Sequence, residues 1–197
     1  MQHPDRGGED QWTPASPWCP NPQYWHADTP DATEHEVTAL VAAFIRALQP
    51  ETVVETGTNT GQSAAAIGRA LRDNGHGHLW TIEIDPAMVG HACERLIGLP
   101  VTIVTGSSLE WDPPAPVDFA WIDSGPAEGA TGTPLDALRR DEIARWLPRF
   151  APGAIIGVHD TAPHHPVMRA ITPLLAAQRM QSLNLRTPRG VCFAQVP

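Results

Sequence analysis

Lysine is absent from this sequence of 197 residues, and arginine supplies all 13 of its basic side chains. Without lysine, the protein has no lysine amine that can form a Schiff base or act as a general base. It also lacks the lysine that binds phosphate in a Walker A loop. These three mechanisms are therefore excluded before any motif is considered.

Positive charge is scarce overall, because 22 acidic residues leave a formal net charge of −9 and a pI of about 5.3. Nucleic-acid backbones and anionic membrane surfaces both attract clustered cations. Neither a nucleic acid nor a membrane is therefore expected as a partner.

Cysteine is rare, and long apolar runs are lacking. Cys19, Cys93 and Cys192 are widely spaced and form no C-x-x-C pair, so no disulfide framework is indicated. No stretch approaches the roughly 20 apolar residues of a membrane span, and the first residues lack the charged and apolar regions of a secretory signal. We expect a protein of the reducing cytoplasm.

Proline is concentrated in residues 1–30, where its density disfavours a helix. The same segment carries Trp18, Tyr24 and Trp25, and such aromatic residues argue against a purely disordered tail. We expect an arm over residues 1–30 that either covers the functional site as a lid or packs on the sheet edge or a dimer partner. Residues 31–197 are expected to form a single domain, since this length suits one full core.

The rest of the chain alternates between strand-like and helix-like segments. The predicted strands are 52–55, 78–85, 101–106, 117–123 and 153–160, followed by a closing hairpin of 180–187 and 190–197. Asp31 and Glu34 predict a capping box before the first helix, which Pro50 ends. Strands alternating with helices indicate βαβ units. The predicted fold is α/β: a doubly wound, mainly parallel seven-stranded sheet with an antiparallel strand from the hairpin at its far edge.

The first strand runs into the sequence VETGTNTGQS, in which Glu55 precedes Gly57 and Gly61 as E-x-G-x-x-x-G. This spacing is not that of a dinucleotide site, and Glu55 would repel a pyrophosphate. The carboxylate attracts an ammonium group, while Ser63 and the amides of the next helix suit a carboxylate. Together these groups describe the amino-acid end of S-adenosylmethionine, although the pattern also fits an ordinary strand–turn–helix corner. The candidate cofactor-binding residues of this loop are Glu55, Gly57, Thr58, Gly61 and Ser63.

Two further strand ends carry polar residues suited to a nucleoside. The second strand ends with Glu83 and Asp85; an acid at this place binds ribose hydroxyls in nucleoside-binding sheets. We assign Glu83 to the ribose and Asp85 to capping the helix that begins at Pro86. Ser107 and Ser108, after the third strand, are candidates for hydrogen bonds to an adenine edge, although small turn residues are common at such positions.

The fourth and fifth strands end in charged residues. Asp123 follows the fourth strand, and the fifth strand, GAIIGVHDT, ends with His159 and Asp160. Because these strands are expected neighbours, the three side chains are predicted to converge. Two carboxylates and an imidazole suit Mg²⁺, Mn²⁺ or Fe²⁺. The alternative is structural: helix capping by the aspartates and a hydrogen-bonded histidine in the core.

Taken in order, these segments resemble the class I S-adenosylmethionine-dependent methyltransferases. The resemblance rests on VVETGTNTGQSAAAI, LWTIEID, VTIVTGSS, VDFAWIDS and GAIIGVHDT, and it covers residues 50–195. The chain is most similar to the catechol-O-methyltransferase-like branch and to the macrocin-type O-methyltransferase and cephalosporin-hydroxylase-related group. The resemblance implies a Rossmann-like fold, S-adenosylmethionine as cofactor and O-methylation of a hydroxylated small molecule.

The same resemblance implies roles for individual residues. Glu55, Gly57, Gly61 and Ser63 would hold the methionine part of the cofactor. Glu83 would bind its ribose, and Ser108 would lie beside its adenine. Asp123 would contact the cofactor and, with His159 and Asp160, form a divalent-metal site.

The chain departs from the family pattern at the catalytic end. The catechol-type branch has Asp-Asn where this chain has His159 and Asp160, and it has a lysine shortly after the position of Asp123. The related group often has Ile-Asp-Gly-x-His on the fourth strand, and that histidine is missing here. Two routes stay open: Mg²⁺ or another divalent cation on Asp123 and Asp160, with His159 as ligand or neighbour, or no metal and His159 as general base. In both routes the candidate catalytic residues are Asp123, His159 and Asp160.

Other functions are compatible with the same pattern. The chain could be a non-catalytic homologue that binds the cofactor or a partner, or a metal-dependent hydroxylase or hydrolase. An NAD-dependent oxidoreductase is disfavoured by the glycine spacing. The sequence does not specify the methyl acceptor or whether the protein is a homodimer.

Overall fold

The computed structural model describes residues 17–28, 32–114, 116–125 and 134–197. Seven strands and five α-helices lie in these ranges. The strands are β1 (Thr52–Thr56), β2 (His78–Glu83), β3 (Val101–Thr105), β4 (Val117–Ile122), β5 (Phe150–His159), β6 (Gln181–Leu185) and β7 (Val191–Gln195). The helices are α1 (His35–Leu48), α2 (Gln62–Asn74), α3 (Pro86–Arg95), α4 (Leu135–Trp146) and α5 (Val167–Ala177).

The strands form one sheet in the order β3-β2-β1-β4-β5-β7-β6. The first five strands in this order are parallel, and β7 is antiparallel to both β5 and β6. The predicted doubly wound sheet is therefore confirmed. The closing hairpin lies at the far edge as expected, but its antiparallel strand β7 is inserted beside β5, and β6 forms the edge itself.

Apolar side chains cover both faces of the sheet, as the alternation along each strand requires. Val53 and Phe119 belong to the core on the α1 and α2 side. Val54, Ala120 and Ile156 belong to the core on the other side, with apolar residues of α4 and α5. Because both faces are buried, polar side chains can gather only where the strands end.

The helix starts agree only partly with the predicted caps. Asp85 caps α3 as predicted, since its Oδ1 accepts a hydrogen bond of 2.8 Å from the Ala87 amide. The helix α1 begins at His35, and Glu34 holds the N-cap position without a capping bond from its side chain. The predicted capping box is therefore wrong for Glu34, whose side chain contacts His159 instead. Asp31 lies outside the described residues.

The described part of the N-terminal arm packs on the domain. Trp18 donates from Nε1 to the carbonyl oxygen of Thr187 at 2.9 Å, and the Arg186 guanidinium lies 5.9 Å from the Trp18 ring centroid. His26 contacts Glu36 of α1 through Nδ1 at 2.8 Å. Residues 17–28 thus lie between the β6–β7 turn and α1.

Among the helices of the described ranges, none has the length and the apolar composition that a membrane span requires.

Candidate active site

The sheet order places β1 and β4 side by side. The connection from β1 leads to β2 on one side of this pair, and the connection from β4 leads to β5 on the other side. This switch point is where open α/β sheets bind ligands. Gly57 has φ +81°, and a Cβ atom on it would lie 2.7 Å from the carbonyl oxygen of Asp123. Only glycine therefore allows the β1–α2 loop to pass this close to the end of β4.

Glu55 is completely buried at the end of β1. Its Oε2 accepts a hydrogen bond of 2.5 Å from the Thr81 hydroxyl, whereas its Oε1 has no hydrogen-bond partner among the described residues. Burial raises the pKa of Glu55 to about 8, although the hydroxyls of Ser63 and Thr81 act in the opposite direction. This carboxyl group lacks the countercharge that would hold it ionised.

Glu83 projects from the end of β2 towards the same loop. Its carboxylate accepts hydrogen bonds from the backbone amides of Asn59 at 2.7 Å and Asp85 at 2.9 Å. These bonds fix the position of the carboxylate beside the β1–α2 loop. The neighbouring side chain of Ile84 is 47% exposed, which leaves an apolar surface next to Glu83.

The two serines after β3 have different environments. The Ser108 hydroxyl is buried and donates to Oε1 of Glu142 at 2.5 Å. The Ser107 hydroxyl accepts from the Leu109 amide at 3.2 Å and is less buried. The Ser108 hydroxyl therefore donates its one proton to Glu142, and it cannot donate the predicted hydrogen bond to an adenine edge in this arrangement.

A buried ionic cluster occupies the ends of β4 and β5, where Asp123, His159 and Asp160 were predicted to meet. One ligand atom from each of the three lies within 4.8 Å of the others. His159 bridges two carboxylates: its Nε2 lies 2.6 Å from Glu34 and its Nδ1 lies 3.0 Å from Asp123. Burial lowers the pKa of His159, but Asp123, Glu34 and Asp160 outweigh burial and raise it to about 10. The ring is therefore an imidazolium that donates from both nitrogens.

Two arginines complete the cluster. Arg139 of α4 donates from Nη2 to Asp123 at 3.1 Å and to Asp160 at 2.8 Å. Arg189, from the β6–β7 turn, donates from Nε and Nη2 to the two oxygens of Asp160 at 2.6 and 3.1 Å. Burial tends to raise the pKa of the Asp160 carboxyl, but His159, Arg139 and Arg189 together hold it well below its usual range.

Residues 32–34 cross the carboxyl edge of the sheet and connect these parts. The Thr33 hydroxyl donates to Oδ2 of Asp123 at 2.5 Å, and Gln62 at the start of α2 donates to the Thr33 carbonyl at 3.1 Å. Glu34 is completely buried, and its Oε1 also accepts from the Arg189 amide at 3.2 Å. The sequence analysis missed Glu34, Arg139 and Arg189. Arg139 lies in the charged run RRDE, which is typical of a solvent-exposed helix face, and the position of Glu34 before a helix indicated only capping.

Comparison with known proteins identifies the family. Residues 54–161, more than half of the chain, match the family described as a methyltransferase domain. The chain belongs to this methyltransferase family. Among curated proteins, none matches the chain by sequence.

Several solved structures share the fold of this methyltransferase. The O-methyltransferase TomG from Streptomyces achromogenes, in complex with SAM, is 22% identical, with a TM-score of 0.65 and coverage of 86% of this chain and 83% of that one. An O-methyltransferase from Bacillus cereus in complex with SAH is 19% identical, with a TM-score of 0.66 and coverage of 86% and 84%. CalS10, an amino pentose methyltransferase from Micromonospora echinaspora, is 18% identical, with a TM-score of 0.61 and coverage of 83% and 91%. The likeness confirms the Rossmann-like fold.

The cluster of this methyltransferase does not fit a divalent cation, although its three predicted ligands do converge. Both ring nitrogens of His159 already contact carboxylates, Nε2 at 2.6 Å from Glu34 and Nδ1 at 3.0 Å from Asp123, so neither nitrogen faces an open ligand position. Both oxygens of Asp160 already accept from arginines. Arg139 and Arg189 already bring two guanidinium charges to Asp123 and Asp160, so a divalent ion would have to compete with both arginines for the same carboxylate oxygens.

The expectation that His159 acts as a general base is also not supported by the geometry. A general base needs a free lone pair within reach of the acceptor proton. His159 is completely buried and bonds to carboxylates on both sides. Its imidazolium instead holds Glu34 and Asp123 in place, which is a positioning role.

Proposed function

We propose that this methyltransferase transfers the methyl group of S-adenosylmethionine to a hydroxyl oxygen of a small molecule. The observation that carries the cofactor assignment is the buried Glu55 carboxyl with its unpartnered Oε1 at the switch point. The ammonium group of the cofactor would supply both the missing donor and the missing countercharge. When bound, the cofactor supplies an electrophilic methyl group on a sulfonium.

The residues around Glu55 suit the rest of the cofactor. Glu83, fixed by two backbone amides, keeps further lone pairs for ribose hydroxyls. Ile84 offers an apolar surface for the base, and Ser107 offers a hydroxyl beside it. Thr58, Gly61 and Ser63 remain assigned to the loop that surrounds the methionine end.

The hydroxyl acceptor is proposed from the relatives and from the position of Asp123. TomG and the Bacillus cereus protein are both described as O-methyltransferases. The Asp123 side chain is 13% exposed, whereas those of His159 and Asp160 are almost completely buried. An acceptor at this edge would also face residues 32–34, so we propose that the segment leading into α1 forms one wall of the acceptor site. The arm over residues 1–30 is proposed either as a lid or as a dimer contact; its described residues 17–28 contact the β6–β7 turn and α1.

Among the described residues, His165 is the imidazole near the cluster that suits a proton acceptor. It is half-buried in the segment after β5, and its Nε2 lies 3.8 Å from Oδ1 of Asp160. Burial lowers the pKa of His165, and His164, Arg189 and Arg139 lower it further, while Asp160 acts in the opposite direction. The ring is therefore neutral near pH 7 and can take the proton of an acceptor hydroxyl.

Replacing His165 by glutamine should lower kcat by about 10²- to 10⁴-fold, the usual contribution of a general base. Binding of S-adenosylhomocysteine should stay unchanged, because His165 is not part of the cofactor loop. The matched control is His164→Gln, since the exposed His164 ring lies tilted beside the His165 ring, with 4.4 Å between the ring centroids. Equal turnover of His165→Gln and the unchanged protein would remove His165 from the mechanism.

The proposed function is tested by calorimetry with S-adenosylhomocysteine and by transfer of labelled methyl groups to a panel of phenols, sugars, polyketides and peptides with free hydroxyls. Binding together with transfer to an oxygen is the expected result. Binding without transfer would favour the alternative of a non-catalytic cofactor-binding homologue. Absence of binding would overturn the assignment.

The remaining expectations concern the setting of the protein. We propose a cytoplasmic location, which suits Cys93 and Cys192 as free thiols. A homodimer is proposed as well, and sedimentation velocity would test it.

A further inference from the structure

We propose that the Arg139 guanidinium stands at the place where catechol-type methyltransferases use a divalent cation, so that this protein transfers methyl groups without a metal. The proposal rests on the proposed function for its activity measurement only. Its ion-binding measurement is independent of any methyl transfer. The two can therefore fail separately.

The position of Arg139 is the first argument. A single atom, Nη2, donates to Asp123 at 3.1 Å and to Asp160 at 2.8 Å, so it lies between the two carboxylates that converge from neighbouring strands. A cation that bridged these carboxylates would need the same space. The guanidinium thus supplies one positive charge at the point where a metal ion would supply two.

The support around Arg139 is the second argument. Its Nε donates to the carbonyl oxygen of Ser124 at 3.0 Å, and its Nη1 donates to the carbonyl oxygen of His159 at 2.5 Å. The side chain is 2% exposed and projects from α4, whose Ile143 and Trp146 are completely buried. Both carbonyl oxygens belong to the ends of β4 and β5. A metal ion would have to break all four hydrogen bonds to displace the guanidinium.

The third argument is the balance of charge. Arg139 pairs with both Asp123 and Asp160, and Arg189 pairs with Asp160, so two guanidinium charges already match the two carboxylates that would bind a cation. Removing Arg139 leaves a buried deficit of one positive charge beside Asp123 and Asp160. The prediction is that a cation-binding site appears only when Arg139 is removed.

Terbium is a suitable probe, because Tb³⁺ favours carboxylate oxygens and its emission is sensitised by nearby tryptophan. The Trp121 ring lies 5.9 Å from that of His159. We expect no saturable Tb³⁺ emission from the unchanged protein at its cluster. Arg139→Ala should bind Tb³⁺ at least about tenfold more tightly, because a positive charge about 4 Å from the ion has gone. Adding Asp123→Asn to that variant should abolish the gain.

Controls separate the charge of Arg139 from the folding of the variants. Arg139→Lys keeps the charge and should not bind Tb³⁺. Arg140→Ala removes an exposed neighbour that pairs with Asp141, and should behave as the unchanged protein. Circular dichroism would show which variants are folded. A folded Arg139→Ala that fails to bind Tb³⁺ would overturn the proposal.

Measurement of Tb³⁺ binding to the unchanged protein tests the proposal even if Arg139→Ala does not fold. Saturable Tb³⁺ binding that Asp123→Asn removes would mean that a cation enters the cluster beside Arg139, and the proposal would be wrong. With any acceptor that is methylated, EDTA should leave the rate unchanged. Loss of that rate in EDTA, restored by Mg²⁺, would overturn the proposal while leaving the proposed methyl transfer intact.

Discussion

Replacing Glu55 by glutamine should weaken the binding of S-adenosylhomocysteine at least about 30-fold at pH 8, which corresponds to about 2 kcal/mol. The reason is that a buried ammonium group would lose its countercharge, while the neutral amide keeps the size of the side chain. Calorimetry on the two proteins measures the effect directly.

Two controls isolate the ammonium contact. Glu51→Gln changes an exposed acid just before β1 and should leave the affinity unaltered. Adenosine lacks the amino-acid end of the cofactor, so Glu55→Gln should not change its affinity. An equal loss for adenosine would show that the variant disturbs the whole site, and no loss for either ligand would remove Glu55 from it.

The raised pKa of Glu55 adds a pH dependence with a definite sign. Below about pH 8 the carboxyl of the cofactor-free protein is protonated, and binding of an ammonium group releases that proton. The affinity for S-adenosylhomocysteine should therefore rise between pH 6 and pH 8, by at most about tenfold per pH unit. Glu55→Gln should lose this dependence. A flat profile in the unchanged protein would contradict the assignment.

Replacing His159 by leucine should destabilise the domain by about 3–5 kcal/mol, the usual effect of removing one partner from a buried ion pair. Glu34, completely buried, and Asp123 would both lose the imidazolium that lies between them. Urea unfolding followed by circular dichroism measures the change. The matched control is His164→Leu at an exposed position, which should stay within about 0.5 kcal/mol of the unchanged protein.

The His159 contribution should also depend on pH. Its pKa is about 10 in the folded protein, against the ordinary histidine value of 6.5, so the stabilisation is complete below pH 6.5 and is lost as pH rises through 10. The difference in the free energy of unfolding between the unchanged protein and His159→Leu should shrink over that window. A difference that grows with pH would mean that His159 is neutral in the folded state.

Local patterns determined most of the fold. The alternation of apolar segments with amphipathic ones located the five strands β1–β5, because burial on both faces of a parallel sheet leaves largely apolar runs. The turn signal PRG located the hairpin of β6 and β7. Pro86 after Asp85 located the start of α3 through the fixed φ of proline and the capping carboxylate. The local sequence did not determine that β7 pairs with β5. A hairpin signal predicts the turn between two strands, but it does not predict which of the two strands lies beside the rest of the sheet.

The functional edge was determined in part. Because parallel strands end at one edge, the sequence by itself placed Glu55, Glu83, Asp123, His159 and Asp160 together. It could not give the protonation of His159 or the ligands of Asp160, because these depend on partners far along the chain: Glu34 is 125 residues from His159, and Arg139 is 21 from Asp160. Only the tertiary structure brings those charges within 3 Å or so of one another, and at that distance inside a low-dielectric core they decide which groups are ionised.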